Sequence, residues 1–365
     1  MRGPGRLGKA AGLAALGTGA VLATGWAAER RLVKRSVATD EEIASEGLVL
    51  PPDVEHDYVE VDDGGRIHVV SRGRGQPLVL LHGVFLNSGI WAHQLEDLSD
   101  EHRVIAVDLR GHGRSVAGSD GFGLQIPGSG EHLDAPRQRR AVPRRGRRRQ
   151  QPALERMALD VRQLLTALDV ERGVLVGHSM GGMVAIQTVA GLSRDERHRR
   201  LAGLVLTSTT AGPFFAVPGW DLFASVGSSA VLRFARASSR AGRGVIPAGD
   251  FRWWASRLAF GADAPATQVR FLESMLAMAQ QPAMEGLLEA LTRVNLSGLL
   301  GSIDLPSLVC VGTHDRLTPA WHAKRLEAGL PDARLVELAR CGHMPMLERR
   351  REFDRLLEEQ ARKVA

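Results

Sequence analysis

The segment that most restricts how this chain can fold is Gly177-His178-Ser179-Met180-Gly181, set between the apolar run Val174-Leu175-Val176 and a stretch that reads as helix. A serine held in a tight turn between strand and helix needs small neighbours so that the backbone can pass. Gly177 and Gly181 supply them, with Gly182 behind. This placement makes Ser179 a candidate nucleophile; the plainer reading of the same residues is a glycine-lined helix start.

A serine hydroxyl is a poor nucleophile at neutral pH until an imidazole takes its proton and an acid orients that imidazole. Both partners can be found downstream. Leu308 to Gly312 reads as a buried strand, and Thr313-His314-Asp315-Arg316-Leu317-Thr318-Pro319 follows it, so Asp315 falls in a loop where the site residues of open α/β sheets gather. Arg334 to Leu338 reads as the last strand, and Cys341-Gly342-His343-Met344-Pro345 comes next. Ser179, Asp315 and His343, in that chain order, are the candidate catalytic set.

Two further motifs, Leu80-Leu81-His82-Gly83 and Asp108-Leu109-Arg110-Gly111-His112-Gly113-Arg114-Ser115, complete five in order. With them the chain resembles the α/β-hydrolase superfamily, in the group that includes serine esterases, lipases and cofactor-free haloperoxidases, over residues 55–362. The resemblance implies a serine hydrolase that cleaves carboxylic esters through an acyl-enzyme, with the backbone N–H groups of Val84 and Met180 receiving the oxyanion. Perhydrolase or haloperoxidase-like chemistry and carbon–carbon bond hydrolysis would use the same triad, and a membrane-tethered binding module with an inactive site is the non-enzymatic alternative. Dehalogenases and epoxide hydrolases of this superfamily attack with a carboxylate where this chain has Ser179, and the only tyrosine is Tyr58, ahead of the sheet. His82, His112 and His178 read as histidines that brace turns. No phosphate-binding loop, dinucleotide fingerprint or metal-ligand spacing is present, so neither cofactor nor metal is implied.

The expected fold is α/β. A first hairpin, Asp57 to Val61 and Arg66 to Ser71, turns at Asp63-Gly64-Gly65. It is followed by strands at Leu78 to His82, Val104 to Val107, Gly173 to Val176, Gly203 to Leu206, Leu308 to Val311 and Leu335 to Leu338. Alternation with helical stretches makes this an eight-stranded, mostly parallel sheet with helices on both faces. After the sixth strand the alternation stops, and residues 213–302, rich in Phe, Trp and Met, read as a helical cap whose apolar side chains would suit a lipophilic ester. The hydrolase core is then 55–212 and 303–365.

Outside that core the chain is less ordinary. Ala10 to Ala28 is uncharged, apolar and flanked by basic residues, and at about 1.5 Å per residue it can just cross a hydrocarbon core. Residues 1–39 therefore read as a membrane anchor, with a signal peptide or interfacial helix as competing readings. Basic residues on both flanks leave the side of the membrane open, and a secreted or cytoplasmic location stays open too. Residues 40–54 suit a linker. The net charge of +6 is local, because eight arginines crowd between Arg137 and Arg149 without an acid. They lie in a segment, 117–152, that interrupts the family pattern and reads as a disordered insertion, since its composition cannot build a packed core. With no interleaved aromatics to stack bases, it does not point to nucleic acid. Cys310 and Cys341 form no disulfide framework, although a single bridge between them stays open.

Overall fold

The computed structural model describes residues 45–117, 138–140, 153–212, 250–278 and 281–365. The apolar run at 10–28, the first five residues of the linker, nearly all of the arginine-rich segment and the first part of the expected cap lie outside them. Among the described residues no helix is long and apolar enough to cross a membrane.

The first hairpin forms as the alternation predicts. β1 (Glu55–Glu60) pairs antiparallel with β2 (Arg66–Arg72), with Tyr58 opposite His68. The Asp63 carboxylate accepts from the Gly65 N–H, and Gly64 takes φ +84°, which closes the turn. β3 (Gln76–Leu81), β4 (His102–Val107), β6 (Gly173–His178), β7 (Leu201–Thr207), β8 (Ser307–Gly312) and β9 (Ala333–Leu338) are the other expected strands, most of them a residue or two longer than the sequence signal. β6, β7 and β8 are buried along their whole lengths, which is why they read as continuous apolar runs and not as alternating ones.

A ninth strand was not expected. β5 (Gln138–Arg140), inside the arginine-rich segment, lies parallel to β1 at the edge of the sheet. The order is β5-β1-β2-β4-β3-β6-β7-β8-β9, and only the β1–β2 and β2–β4 pairs are antiparallel.

Helices follow the strands. α1 (Ala92–Asp97), preceded by a single 3₁₀ turn at Ser88–Trp91, comes after β3. α2 (Ala153–Ala167) leads into β6, and α3 (Met180–Ala190) and α4 (Arg194–Arg200) lead from it to β7. Between β7 and β8 the described chain is helical: α5 (Asp250–Leu258), α6 (Ala266–Met278), α7 (Gln281–Arg293) and α8 (Ser297–Leu300). α9 (Ala320–Gly329) precedes β9, and α10 (Pro345–Glu348) and α11 (Arg350–Val364) close the chain. Phe260, Phe271, Leu272, Met275 and Leu276 are buried, whereas Trp254 and Met278 are exposed. The space above the Cα of Gly89 is closed by the Met275 methyl, so α6 sits directly on the turn that follows β3. Cys310 and Cys341 are both free and buried.

Candidate active site

Ser179 joins β6 to α3 at φ +54°, ψ −119°, a conformation that costs a side-chain-bearing residue of order 1–3 kcal/mol and persists only where neighbours hold it. Here they do. Its N–H donates to the Thr207 carbonyl (3.1 Å), and its own carbonyl accepts from Gly182 N–H (3.0 Å) and from Thr209 Oγ1 (2.5 Å). The elbow glycines are needed for space. A Cβ on Gly177 would lie 2.5 Å from the Gly181 carbonyl oxygen, and one on Gly181 would lie 2.2 Å from that of Leu81, both rigid backbone atoms.

Asp315 and His343 follow β8 and β9, 28 residues apart in sequence, and meet. His343 Nδ1–H donates to Asp315 Oδ2 at 2.9 Å, with both side chains buried. Asp315 has three further donors: the N–H groups of Leu317 and Thr318 (2.9 Å each) on Oδ1, and Thr318 Oγ1 (2.8 Å) on Oδ2. Burial pushes its carboxyl up, but the neighbouring His343 and the donors from His343 and Thr318 outweigh it, so the group ends below its ordinary value.

His178 ties the elbow to the histidine loop. Its Nε2–H donates to the His343 carbonyl (2.8 Å), and the two rings lie 4.9 Å apart. Burial, followed by the neighbouring His343, pushes His178 down to about 3, so it stays neutral and braces the loop without exchanging protons. On its other side the ring meets the edge of Trp91, which stacks on Phe353. The His82-Gly83-Val84 segment closes the site from β3. A Cβ on Gly83 would sit 3.1 Å from Ser179 Cβ and 3.0 Å from His178 Nδ1. His82 itself is a brace: Nδ1–H donates to the Gly83 carbonyl (2.7 Å) and Nε2 accepts from Leu109 N–H (3.0 Å). His112 Nδ1–H likewise donates to the Arg110 carbonyl (3.1 Å).

The Asp108 to Ser115 loop wraps its own carboxylate. Asp108 accepts from Ser88 N–H (2.6 Å), Arg114 N–H (2.9 Å) and His68 Nδ1–H (2.7 Å), and Gly113, at φ +51°, leaves room for it. This loop is structural; it holds the turn after β3 against β4. Thr318, Thr209 and Glu348 also brace the site, and sequence reasoning passes over them. Only Thr318 carried a signal, a hydroxyl three residues after an aspartate in a strand-end loop.

The model of the family described as alpha/beta hydrolase fold matches residues 76–350. The chain belongs to that family. This α/β hydrolase is 25% identical over 317 residues to AB hydrolase superfamily protein YisY of Bacillus subtilis, covering 82% of this chain and 97% of that protein. It is 30% identical over 284 residues to a pimeloyl-acyl-carrier-protein methyl ester esterase of Xanthomonas oryzae pv. oryzae, covering 77% of this chain and 93% of that one. Among solved structures, an esterase from Exiguobacterium antarcticum superposes with a TM-score of 0.67 at 20% identity, over 84% of this chain and 99% of its own, a likeness of fold.

Proposed function

We propose that this hydrolase cleaves carboxylic esters through an acyl-enzyme, with Ser179 as nucleophile, His343 as general base and acid, and Asp315 as the acid that orients and stabilises the imidazolium. The observation that carries the reading is the buried His343–Asp315 pair at 2.9 Å, with His343 in a loop that His178, the neighbour of a serine strained to φ +54°, bonds at the His343 carbonyl. Because Asp315 engages Nδ1, the imidazole is left with Nε2 to take the serine proton as the hydroxyl attacks the carbonyl carbon. The proton then passes to the leaving alkoxide, and the same nitrogen activates water for deacylation.

Two backbone donors are suited to the oxyanion. Met180 opens α3, so its N–H has no carbonyl four residues earlier in the helix and lies at the positive end of the helix dipole. Val84 follows Gly83, whose Cα is against Ser179. Each such donor contributes about 3 kcal/mol to the transition state. A lipophilic acyl group is supported by the buried Phe271, Leu272 and Met275 of α6, the last of them against the turn after β3, and by the similarity to a pimeloyl-acyl-carrier-protein methyl ester esterase.

The test pairs a fluorophosphonate probe with a series of p-nitrophenyl esters of rising acyl length. Ser179→Ala should abolish labelling, and kcat/KM should rise with acyl length in the wild type. Labelling that persists in the alanine variant puts the nucleophile elsewhere, and kcat/KM independent of length removes the lipophilic substrate.

A further inference from the structure

Glu348 ends α10, five residues after His343, and its half-buried carboxylate accepts from backbone amides and, at 3.9 Å, from Cys341 Sγ. Oε1 accepts from Gly342 N–H (2.9 Å) and Met344 N–H (3.3 Å), the residues on either side of His343. Oε2 accepts from Gly261 N–H (2.7 Å), in the segment between α5 and α6. One side chain thus grips the histidine loop with one oxygen and the helical region over the sheet with the other.

The two backbones are in close contact around that grip. His343 N–H donates to the Ala259 carbonyl (2.6 Å), and a Cβ on Gly342 would lie 2.4 Å from Gly261 N and 2.5 Å from the Phe260 carbonyl carbon. Arg257 holds the far side of the turn by donating to the carbonyls of Phe260, Gly261 and Ala262 at 2.9–3.2 Å. Arg340 pairs with Asp263 at 2.6 Å across the same seam. Burial pushes the Glu348 carboxyl above its ordinary value, and the amide donors and Arg349 offset only part of this.

We propose that Glu348 is a positioning residue for His343: by clamping the amides that flank the histidine to Gly261, it makes the orientation of the imidazole depend on the seating of the α5–α6 segment. The proposal rests on the Ser179–His343–Asp315 reading. Glutamine fills the same space but presents an NH₂ to one of the two arms, and two N–H groups facing each other repel, so Glu348→Gln breaks one arm while preserving volume.

The experiment compares wild type, Glu348→Gln and Glu348→Asp by kcat and KM on a p-nitrophenyl ester, by the rate of fluorophosphonate labelling and by Tm. A displaced base should lower kcat about 10- to 100-fold and slow labelling in proportion, with KM little changed, because a misplacement near 1 Å is worth about that much. Aspartate keeps the charge but is one methylene short, and should recover only part of the loss. A Tm that falls while labelling and kcat of the folded protein match wild type overturns the proposal and leaves Glu348 as a structural residue. Probe labelling of Ser179→Ala separates the two readings: if that variant still labels, the triad reading fails; if only Glu348→Gln behaves as wild type, the positioning proposal alone fails. Should both Glu348 variants unfold, hydrogen exchange of the wild type decides. Segments 259–263 and 341–345 must exchange as one unit, and exchange of the first at least about tenfold faster refutes the clamp.

Discussion

Replacing Thr318 by valine tests how the acid of the site is held. Thr318 is fully buried, and its hydroxyl is one of four donors on Asp315. Valine has nearly the same shape, so no cavity opens, but Asp315 Oδ2 is left with His343 Nδ1–H alone. A hydrogen bond to a charged group contributes about 1.5–3 kcal/mol, so Thr318→Val should cost about 2 kcal/mol of stability at neutral pH. The pH dependence follows from the lowered carboxyl. An acid held below its unfolded value of 3.8 contributes stability that is present above that value and lost as the pH falls through its folded one. The penalty should therefore be constant near neutrality and shrink below about pH 4. Urea unfolding followed by tryptophan fluorescence, at pH 7 and at descending pH, measures it. Catalysis should suffer less, because the Asp315–His343 contact is intact, and kcat/KM should fall by less than about tenfold. A stability penalty under about 0.5 kcal/mol at pH 7, or one that grows on acidification, refutes the reasoning.

Two further substitutions probe the frame around the site. Asp354, bonded to Gln94 at 2.8 Å, is pushed up to about 8 by burial, so the folded chain keeps a proton that the unfolded one releases near 3.8, and stability from this group falls as pH rises across that window. Asp354→Asn should gain on wild type from about pH 4 to about pH 8 and then level off, and Tm curves that run parallel across that range exclude this. Gly181→Ala would drive a Cβ to 2.2 Å from the Leu81 carbonyl oxygen and 2.6 Å from that of His82. Neither backbone can retreat without opening the elbow, so probe labelling should slow at least about tenfold, and wild-type labelling would mean that β3 yields.

Much of this was legible because Ser179 and Asp315 each follow a strand that is buried along its whole length, whereas His343 follows the half-exposed β9 and is marked by its place after the last strand. β6, β7 and β8 present unbroken apolar runs that mark their own ends, and the loops where Ser179 and Asp315 lie begin where those runs stop. The apolar signal stops short of the strand ends where polar residues extend them. His102 and Arg103 belong to β4 by pairing with Gln76 and Pro77, a contact that periodicity does not register. β5 is the extreme case: Gln138, Arg139 and Arg140 have no apolar alternation, and only backbone pairing with β1 makes them a strand.

The braces were hidden for a different reason. Thr318, Thr209 and Glu348 act on atoms whose positions are set by the fold, namely the Asp315 carboxylate, the Ser179 carbonyl and the amides beside His343. A buried polar group must find a partner. At an elbow strained to positive φ and in a histidine loop pressed against Gly261, many of those groups are backbone N–H and C=O, which every residue carries and no motif records. The proposed nucleophile, base and acid can be read from residue type and chain order because the chemistry assigned to them demands particular side chains. What fixes them in place only has to satisfy nearby backbone, which a threonine or a glutamate several residues away can do. For this hydrolase the least legible residues are therefore those expected to govern how well the legible ones work, and Glu348 is where that expectation is most exposed to test.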